Sequence, residues 1–386
     1  RNSSTNSIIN NFNSPKLLKR NETYDEFYVR CNNISIFDCS EEEMLWWMMG
    51  SRRLPLKEIV PITVILVVIF LTGVVGNACV CVVIVKHPGL HTATNYYLFS
   101  LAVSDLLLLM FGLPNDLSVY WHQYPYDLGI VFCKLRALIS EAATYVSVLT
   151  ISAFSLERYL AICHPLHLYT MAGLTRASRI ILILWIISIV CASPFAVYSE
   201  ISYRDYPPSK CYSAFCALMA PSPLLELSSI FFFFVPAILI LCLYARMGYH
   251  IRYTLLIGLL NGHVHGETRQ AKSRKAIIRM LAAVVIAFFV CWAPFHVQRL
   301  FFIYGYRLPQ FPVINEYLFN VAGALYYVSA TVNPILYNVM SGNTDSGREF
   351  HSLAVRIINV YPKRFVRMGE MSTMYQWRNA VRLVVR

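Results

Sequence analysis

Asp105, Asp116 and Glu141 are carboxylates set in otherwise apolar runs, LAVSDLLLLMFGLPNDLSVYW at 101–121 and ALISEAATYVSVL at 137–149. An acid in hydrocarbon costs several kcal/mol and persists only where it faces protein or water, so each one marks a relay, a switch or a counter-charge for a ligand. Asp116 lies eleven residues beyond Asp105, which is about 16 Å further out and about 20° round an unbroken helix. Glu141 lies eight residues after Cys133, about 12 Å along its own helix. Asp116 and Glu141 therefore converge on the outer half of one interior. Two carboxylates in a partly dehydrated cavity repel each other and attract a cation, and a guanidinium meets them best through paired hydrogen bonds. That chemistry points to a ligand carrying an arginine. Arg299, about two turns outside Trp292, is the internal rival, able to neutralise one acid with no ligand present. Phe295, His296, Phe302, Phe319, Tyr326 and Tyr327 complete an aromatic wall with a few polar tips, suited to a short peptide end.

These groups need elements to hold them. With 57% hydrophobic and 14% charged residues the chain is far more apolar than a soluble domain of 386 residues. Seven blocks are long enough to cross a bilayer as helices, near Ile59–Val85, Tyr96–Trp121, Ile130–Ile162, Ser178–Tyr198, Leu224–Ile251, Ile277–Ile303 and Val313–Met340. The expected fold is an all-α membrane bundle of seven helices. Prolines 61, 114, 194, 236, 294 and 334 lie in or at the ends of these blocks, where neighbouring helices can satisfy the freed carbonyls. The net charge of +12 does not indicate nucleic acid, because the basic residues sit in loops and tails between the apolar blocks.

Orientation follows from the short loops. Arg246, Arg252, Arg269, Lys272, Arg274, Lys275 and Arg279 crowd the connection between the fifth and sixth blocks, whereas 122–129 and 304–312 hold only Arg307 between them. Positive charge marks the cytoplasmic side, which puts the N-terminus outside. The expected organisation is an extracellular tail at 1–55, a membrane domain at 56–340 and a cytoplasmic tail at 341–386. The sequons at Asn2, Asn21 and Asn33 fall in the outer tail, where they can be glycosylated. No charged n-region, apolar core and cleavage site opens the sequence, so the first membrane helix is expected to act as the insertion signal. Five cysteines, Cys31, Cys39, Cys133, Cys211 and Cys216, are expected outside, where disulfides persist. Cys133 is expected to bridge to the loop before the fifth helix, with Cys211 and Cys216 both open as partners.

In chain order stand Gly76–Asn77, LAVSD ending at Asp105, ERY at Glu157–Tyr159, Trp185, Pro236, FFVCWAP ending at Pro294, and NPILY at Asn333–Tyr337. Over roughly 55–345 the chain resembles the rhodopsin-like (class A) G-protein-coupled receptors. The runs SEAATYVSVLTISAFSLERYLAICHPLHLY, GETRQAKSRKAIIRMLAAVVIAFFVCWAPFHVQRLFF and VSATVNPILYNVMS narrow the resemblance to insect receptors for CAPA (periviscerokinin) peptides, within the pyrokinin and neuromedin U group. The absence of a lysine in the last helix disfavours a retinal pigment. Tyr145, one turn below Glu141 with no aspartate nearby, disfavours a monoamine.

The resemblance implies a ligand ending in Pro-Arg-X-amide, which agrees with the acid pair. It implies signalling through a Gq-type G protein and calcium, with no catalysis and no cofactor beyond an allosteric sodium ion at Asp105, Ser147 and Ser329. It implies that Val148, Pro236 and Phe288 repack when ligand presses on Trp292, with Pro294 as the bend, and that Asn333, Pro334, Tyr337 and Tyr244 share in the switch. Glu157 and Arg158 are assigned to G-protein coupling, with Leu166 beyond them. SAFC before the fifth helix implies Cys216 as the partner of Cys133. The inner end of the sixth helix, QAKSRKAIIRM, departs from receptors that carry an acid there, so a weak resting hold on Arg158 and measurable basal activity are expected. The tail departs too, although Phe350, Leu353, Ala354 and Ile357 share a face that suits a short amphipathic eighth helix on membrane lipid. Other pyrokinin or neuromedin U-like peptides are the alternative ligands. A seven-helix ion or proton transporter relaying through Asp105, Asp116 and Glu141 is the alternative of a different class.

Overall fold

The computed structural model describes residues 52–53, 55–164, 173–203, 214–260 and 267–341, with the backbone alone at 222, 255, 258–260, 267–282, 284, 312 and 335–341. The sequons, Cys31, Cys39, Cys211, Leu166 and the tail with its expected eighth helix lie outside the described residues.

The chain forms α1 (Leu56–Lys86), α2 (Ala93–Phe111), α3 (Leu113–Trp121), α4 (Gly129–Cys163) and α5 (Leu174–Val197). A hairpin of β1 (Ser199–Ser202) and β2 (Phe215–Leu218) follows, then α6 (Ser222–Ser229), a π turn at Ile230–Phe234, α7 (Val235–Leu260), α8 (Glu267–Tyr304) and α9 (Phe311–Ser341). These make seven spans: α2 and α3 share the second, and α6 and α7 share the fifth. Six segments are long and apolar enough to cross a bilayer on composition alone. The seventh, α9, has the length at 31 residues but carries polar groups whose partners are inside the bundle. Asn320 accepts from Tyr120 at 2.8 Å, Asn315 accepts from Gln298 at 3.3 Å, and Asn333 donates to Asp105 at 2.8 Å.

Proline placement explains the two divided spans. Pro114 is the second residue of α3, lacks an N–H and ends the regular ladder of α2 at Phe111. Pro236 sits just after the π turn, where the wider helix absorbs the carbonyl it leaves free. Within that turn Phe232 and Phe233 are buried while Phe231 and Phe234 face outward. In α5, Leu182, Ile183, Ile186 and Val190 are exposed where lipid would lie, and Ala177, Ser188, Ala192 and Phe195 face the protein.

Because lipid gives no hydrophobic drive between helices, close packing and polar links hold the bundle. A methyl on Gly73 would meet Leu109 Cδ1 at 2.6 Å, so the glycine lets the first span approach the second. Asn77 Nδ2 donates to Gly73 O at 2.9 Å and to Ala330 O at 2.7 Å, tying α1 to α9. Tyr145 donates to Ser228 at 2.8 Å, and Trp185 to Ser100 at 3.0 Å. The core threads Val148, Phe233, Phe288, Trp292 and Tyr326.

Two helix starts differ from expectation by more than a turn. The sixth span begins at Glu267 rather than Ile277, and the fourth at Leu174 rather than Ser178. In both cases polar residues continue the helix past the apolar block, which a hydropathy boundary cannot register.

Candidate functional site

An outer cavity of about 270 Å³ opens between the third, sixth and seventh spans. Its roof is the hairpin, in which Ile201 pairs with Cys216, and Ser199, Cys216, Ala217 and Leu218 line it. The Cys133–Cys216 disulfide, with Cα atoms 5.8 Å apart, pins that roof to the outer end of α4. Cys216 is thus the partner of Cys133.

Asp116 and Glu141 both line this cavity, and each already has a guanidinium. Glu141 is held by Arg299 in a two-pronged pair, with Nη1 donating to Oε2 at 3.2 Å and Nη2 donating to Oε1. Arg299 is further fixed by the Phe295 and Phe195 rings, 4.5 and 5.4 Å from its carbon, and by Ser228 at 3.4 Å. Asp116 pairs with Arg136 instead, through one contact of 2.9 Å at Oδ1. Its Oδ2 accepts from Tyr327 at 2.6 Å, and Asn115 Nδ2 adds a bond to Oδ1 at 3.2 Å. The expectation that the acids share one incoming cation therefore meets two resident ones, the rival Arg299 and a base the sequence reading missed.

Arg136 was detectable as the one basic residue within the outer half of the third block after Lys134. Helical spacing does not place it near Asp116, because the two meet across spans. Gly112 is the other missed residue: a methyl there would lie 2.8 Å from Tyr327 Oη and 3.3 Å from Ser140 Oγ. Its bare backbone lets Tyr327 reach Asp116.

The wall is partly as expected. Phe295 and Tyr326 stack at 4.5 Å and line the cavity with Tyr327 and Phe319. Phe302 does not belong to the wall: it is 57% exposed and touches Phe311 at 6.1 Å. His296 is buried beneath the cavity, with Nδ1 3.1 Å from Ser229 Oγ and its ring stacked on Phe233 at 4.8 Å. An anchoring role in the core takes it off the cavity surface.

Below, Trp292 meets Tyr326 edge-on at 5.7 Å, and Phe288 stacks on Phe233 at 6.0 Å. Phe288 and Trp292 share the buried face of α8, as their spacing requires, and Pro294 lies within that helix. Asp105 is buried, with Oδ1 accepting from Ser147 at 3.4 Å and Oδ2 from Asn333 at 2.8 Å.

At the inner end, Glu157 lies 3.7 Å from Arg158 Nη2 and 3.7 Å from Arg176 Nη2. Arg158 also donates to Thr94 Oγ1 at 2.7 Å and lies 5.2 Å over Phe154. Tyr244 is 3.0 Å from Ser155. Tyr337 lies on α9, in the stretch described by its backbone alone.

Residues 76–337 match the family described as 7 transmembrane receptor (rhodopsin family). The chain belongs to that family. Among curated proteins, the pyrokinin-1 receptor of Drosophila melanogaster is 38% identical over 347 residues, covering 76% of this chain and 80% of its own length. Neuromedin-U receptor 2 of Mus musculus is 35% identical over 311 residues, with 78% and 77% covered. The neuromedin U receptor homolog nmur-2 of Caenorhabditis elegans is 35% identical over 321 residues, with 76% and 79% covered. The receptor thus sits in the pyrokinin and neuromedin U group of class A, as a multi-pass protein of the plasma membrane and not an enzyme.

The expected cation beside Asp105 would need oxygen donors around the carboxylate, and Ser147 offers one. The acid's partners are a hydroxyl and an amide, both neutral, and Ser147 is in turn 2.9 Å from Ser104 Oγ. Ser329 donates to Tyr326 O at 2.6 Å and makes no described contact with Asp105. A carboxylate with hydroxyl oxygens is a donor set for a hard cation.

Proposed function

We propose that this receptor is switched by an amidated neuropeptide of Pro-Arg-X-amide type, CAPA (periviscerokinin)-like, and signals through a Gq-type heterotrimeric G protein and calcium release. The observation that carries this reading is the outer cavity in which two carboxylates and an aromatic wall face one space. Its volume is below the roughly 300–1,000 Å³ of drug-sized pockets, so it takes the end of a peptide rather than its length. A side chain that is long, flat and cationic suits it.

Peptide in the cavity bears on Phe295 and Tyr326, and through the Tyr326–Trp292 contact on the inner half of α8, which bends at Pro294. Repacking at Phe288, Val148 and Pro236 lets that half move outward, with Asn333, Pro334, Tyr337 and Tyr244 rearranging. Arg158 then leaves Thr94 and Glu157 for the carbonyl groups of the G protein, to which its five donors suit it. Both ligands favour one state, so each raises the other's affinity. A sodium ion held by Asp105, Ser147 and Ser329 would compensate the buried charge of the resting state.

A pyrokinin or neuromedin U-like peptide is the second reading, favoured by the names of the relatives. Calcium release in transfected cells challenged with CAPA-type and pyrokinin-type amides tests both. A nanomolar response to the first supports the main reading. A preference for pyrokinin-type amides moves the assignment to the second, and silence toward both sinks the Pro-Arg-X-amide class.

A further inference from the structure

We propose that Arg136 is a resident stand-in for a ligand guanidinium: it occupies Asp116 in the unliganded receptor and yields that carboxylate by exchange to an arginine-bearing ligand, while the Glu141–Arg299 pair stays closed. The inference rests on the reading above that the ligand carries an arginine.

The two pairs are not equivalent. Arg299 and Glu141 meet through two contacts, and their side chains are 13% and 10% exposed. Two rings and Ser228 clamp the guanidinium besides. Opening this pair strands two buried charges. Arg136 and Asp116 meet through one contact, and their side chains are 28% and 31% exposed to the cavity. Arg136 Nε is buried with no hydrogen-bond partner among the described residues, so its guanidinium is incompletely satisfied where it lies.

Asp116 is built to outlast the exchange. With Arg136 withdrawn it keeps Tyr327 and Asn115, and Asn115 is itself fixed by Tyr126 at 3.3 Å. The carboxylate stays aimed into the cavity, oriented for another planar donor. Gly112 protects this geometry, since a methyl would push Tyr327 away. The outer cavity is therefore charge-balanced at rest, and a ligand arginine must compete for its seat. That competition selects guanidinium over ammonium, because a point charge cannot replace the planar fork as well.

Competition lowers apparent affinity by the fraction of time the seat is free. Removing the competitor should strengthen binding of an arginine peptide by about tenfold if Asp116 is free about a tenth of the time. The test uses wild type, Arg136→Ala, Asp116→Asn and the double variant, each with a Pro-Arg-X-amide peptide and its citrulline analogue. Arg136→Met fills the stem's space where alanine loosens the bundle. Expected is tighter binding of the arginine peptide to Arg136→Ala, no gain for the citrulline peptide, and no gain in the Asp116→Asn background. Weaker binding of both peptides to Arg136→Ala and Arg136→Met, or an equal gain for both, overturns the exchange.

A second arm needs no knowledge of the natural ligand. N-acetyl-arginine amide should raise the melting temperature of purified Arg136→Ala, and leave wild type and the double variant unmoved. If neither peptide engages wild type, the functional reading has failed, and this arm decides the exchange alone. No rise in Arg136→Ala overturns it.

Discussion

The outer and inner ends of the bundle handle charge in opposite ways. In the outer cavity every acid has its own arginine, Glu141 with Arg299 and Asp116 with Arg136, at hydrogen-bond distance. At the inner end one acid, Glu157, is divided between Arg158 and Arg176 at 3.7 Å from each. The outer end is balanced in charge at rest, acid against arginine. Among the described residues there Glu157 is one acid set against two guanidiniums, and Arg158 also leans on a neutral hydroxyl at Thr94. On the proposed mechanism this asymmetry gives a guarded entrance and a loosely held Arg158.

The largest effect should come from breaking the tight outer pair. Glu141→Gln leaves the Arg299 guanidinium buried without its counter-charge, which costs about 3–5 kcal/mol. Surface expression and the melting temperature of the purified protein should both fall sharply. Pairing it with Arg299→Gln should restore much of both. If Glu141→Gln alone reaches the surface normally and loses only peptide response, Glu141 is a ligand contact and the two outer acids are alike after all.

Asp116→Asn is next. Its pair is open to the cavity and Arg136 can turn to water, so surface expression should hold. Peptide potency should fall by about 10- to 100-fold, the worth of one charge-assisted hydrogen bond at 1.5–3 kcal/mol. Calcium dose–response curves at matched surface expression measure it. An unchanged midpoint would place the ligand's cation elsewhere.

The helices and the shared face of Phe288 and Trp292 were legible in the sequence because each rests on spacing within a span, whereas the nearness of Asn333 to Asp105 follows only once the spans are set in a seven-helix bundle. Two contacts that depend on reach between spans escaped. Arg136 meets Asp116, and Arg176 meets Glu157, only through the tips of long side chains whose direction periodicity does not encode. His296 and Phe302 lie off the cavity for different reasons: His296 is one residue, about 100°, round α8 from Phe295, and Phe302 is on Phe295's side but about two turns further out. Cys216 was narrowed from two candidates by resemblance, and the hairpin register shows why it serves, opposite Ile201 beneath the cavity roof.

At the inner end the comparison can be sharpened by two substitutions with opposite signs. Thr94→Val removes the 2.7 Å bond to Arg158 and should raise basal inositol phosphate production about two- to fivefold, as loss of one ordinary hydrogen bond would. Arg176→Gln removes the competitor for Glu157 and should lower basal signalling toward that of untransfected cells. Wild type should lie between them, above background. Movement of both variants in one direction would mean that Thr94 and Arg176 support the helix ends generally and do not divide a limited negative charge.

The smallest effect should come from Tyr304→Phe. Tyr304 donates to Glu226 at 2.7 Å, joining the outer ends of the sixth and fifth spans. It resembles the cavity pairs in distance, yet neither residue lines the cavity and the tyrosine is exposed. Water replaces such a bond at little loss, so potency and expression should each shift by less than about twofold. Distance alone would rank this contact beside Arg136–Asp116, whereas burial and incomplete satisfaction separate them. A shift comparable to that of Asp116→Asn would show that the outer ends of the two spans are themselves clamped at rest, and the gate would then be the rim of the bundle as much as the floor of the cavity.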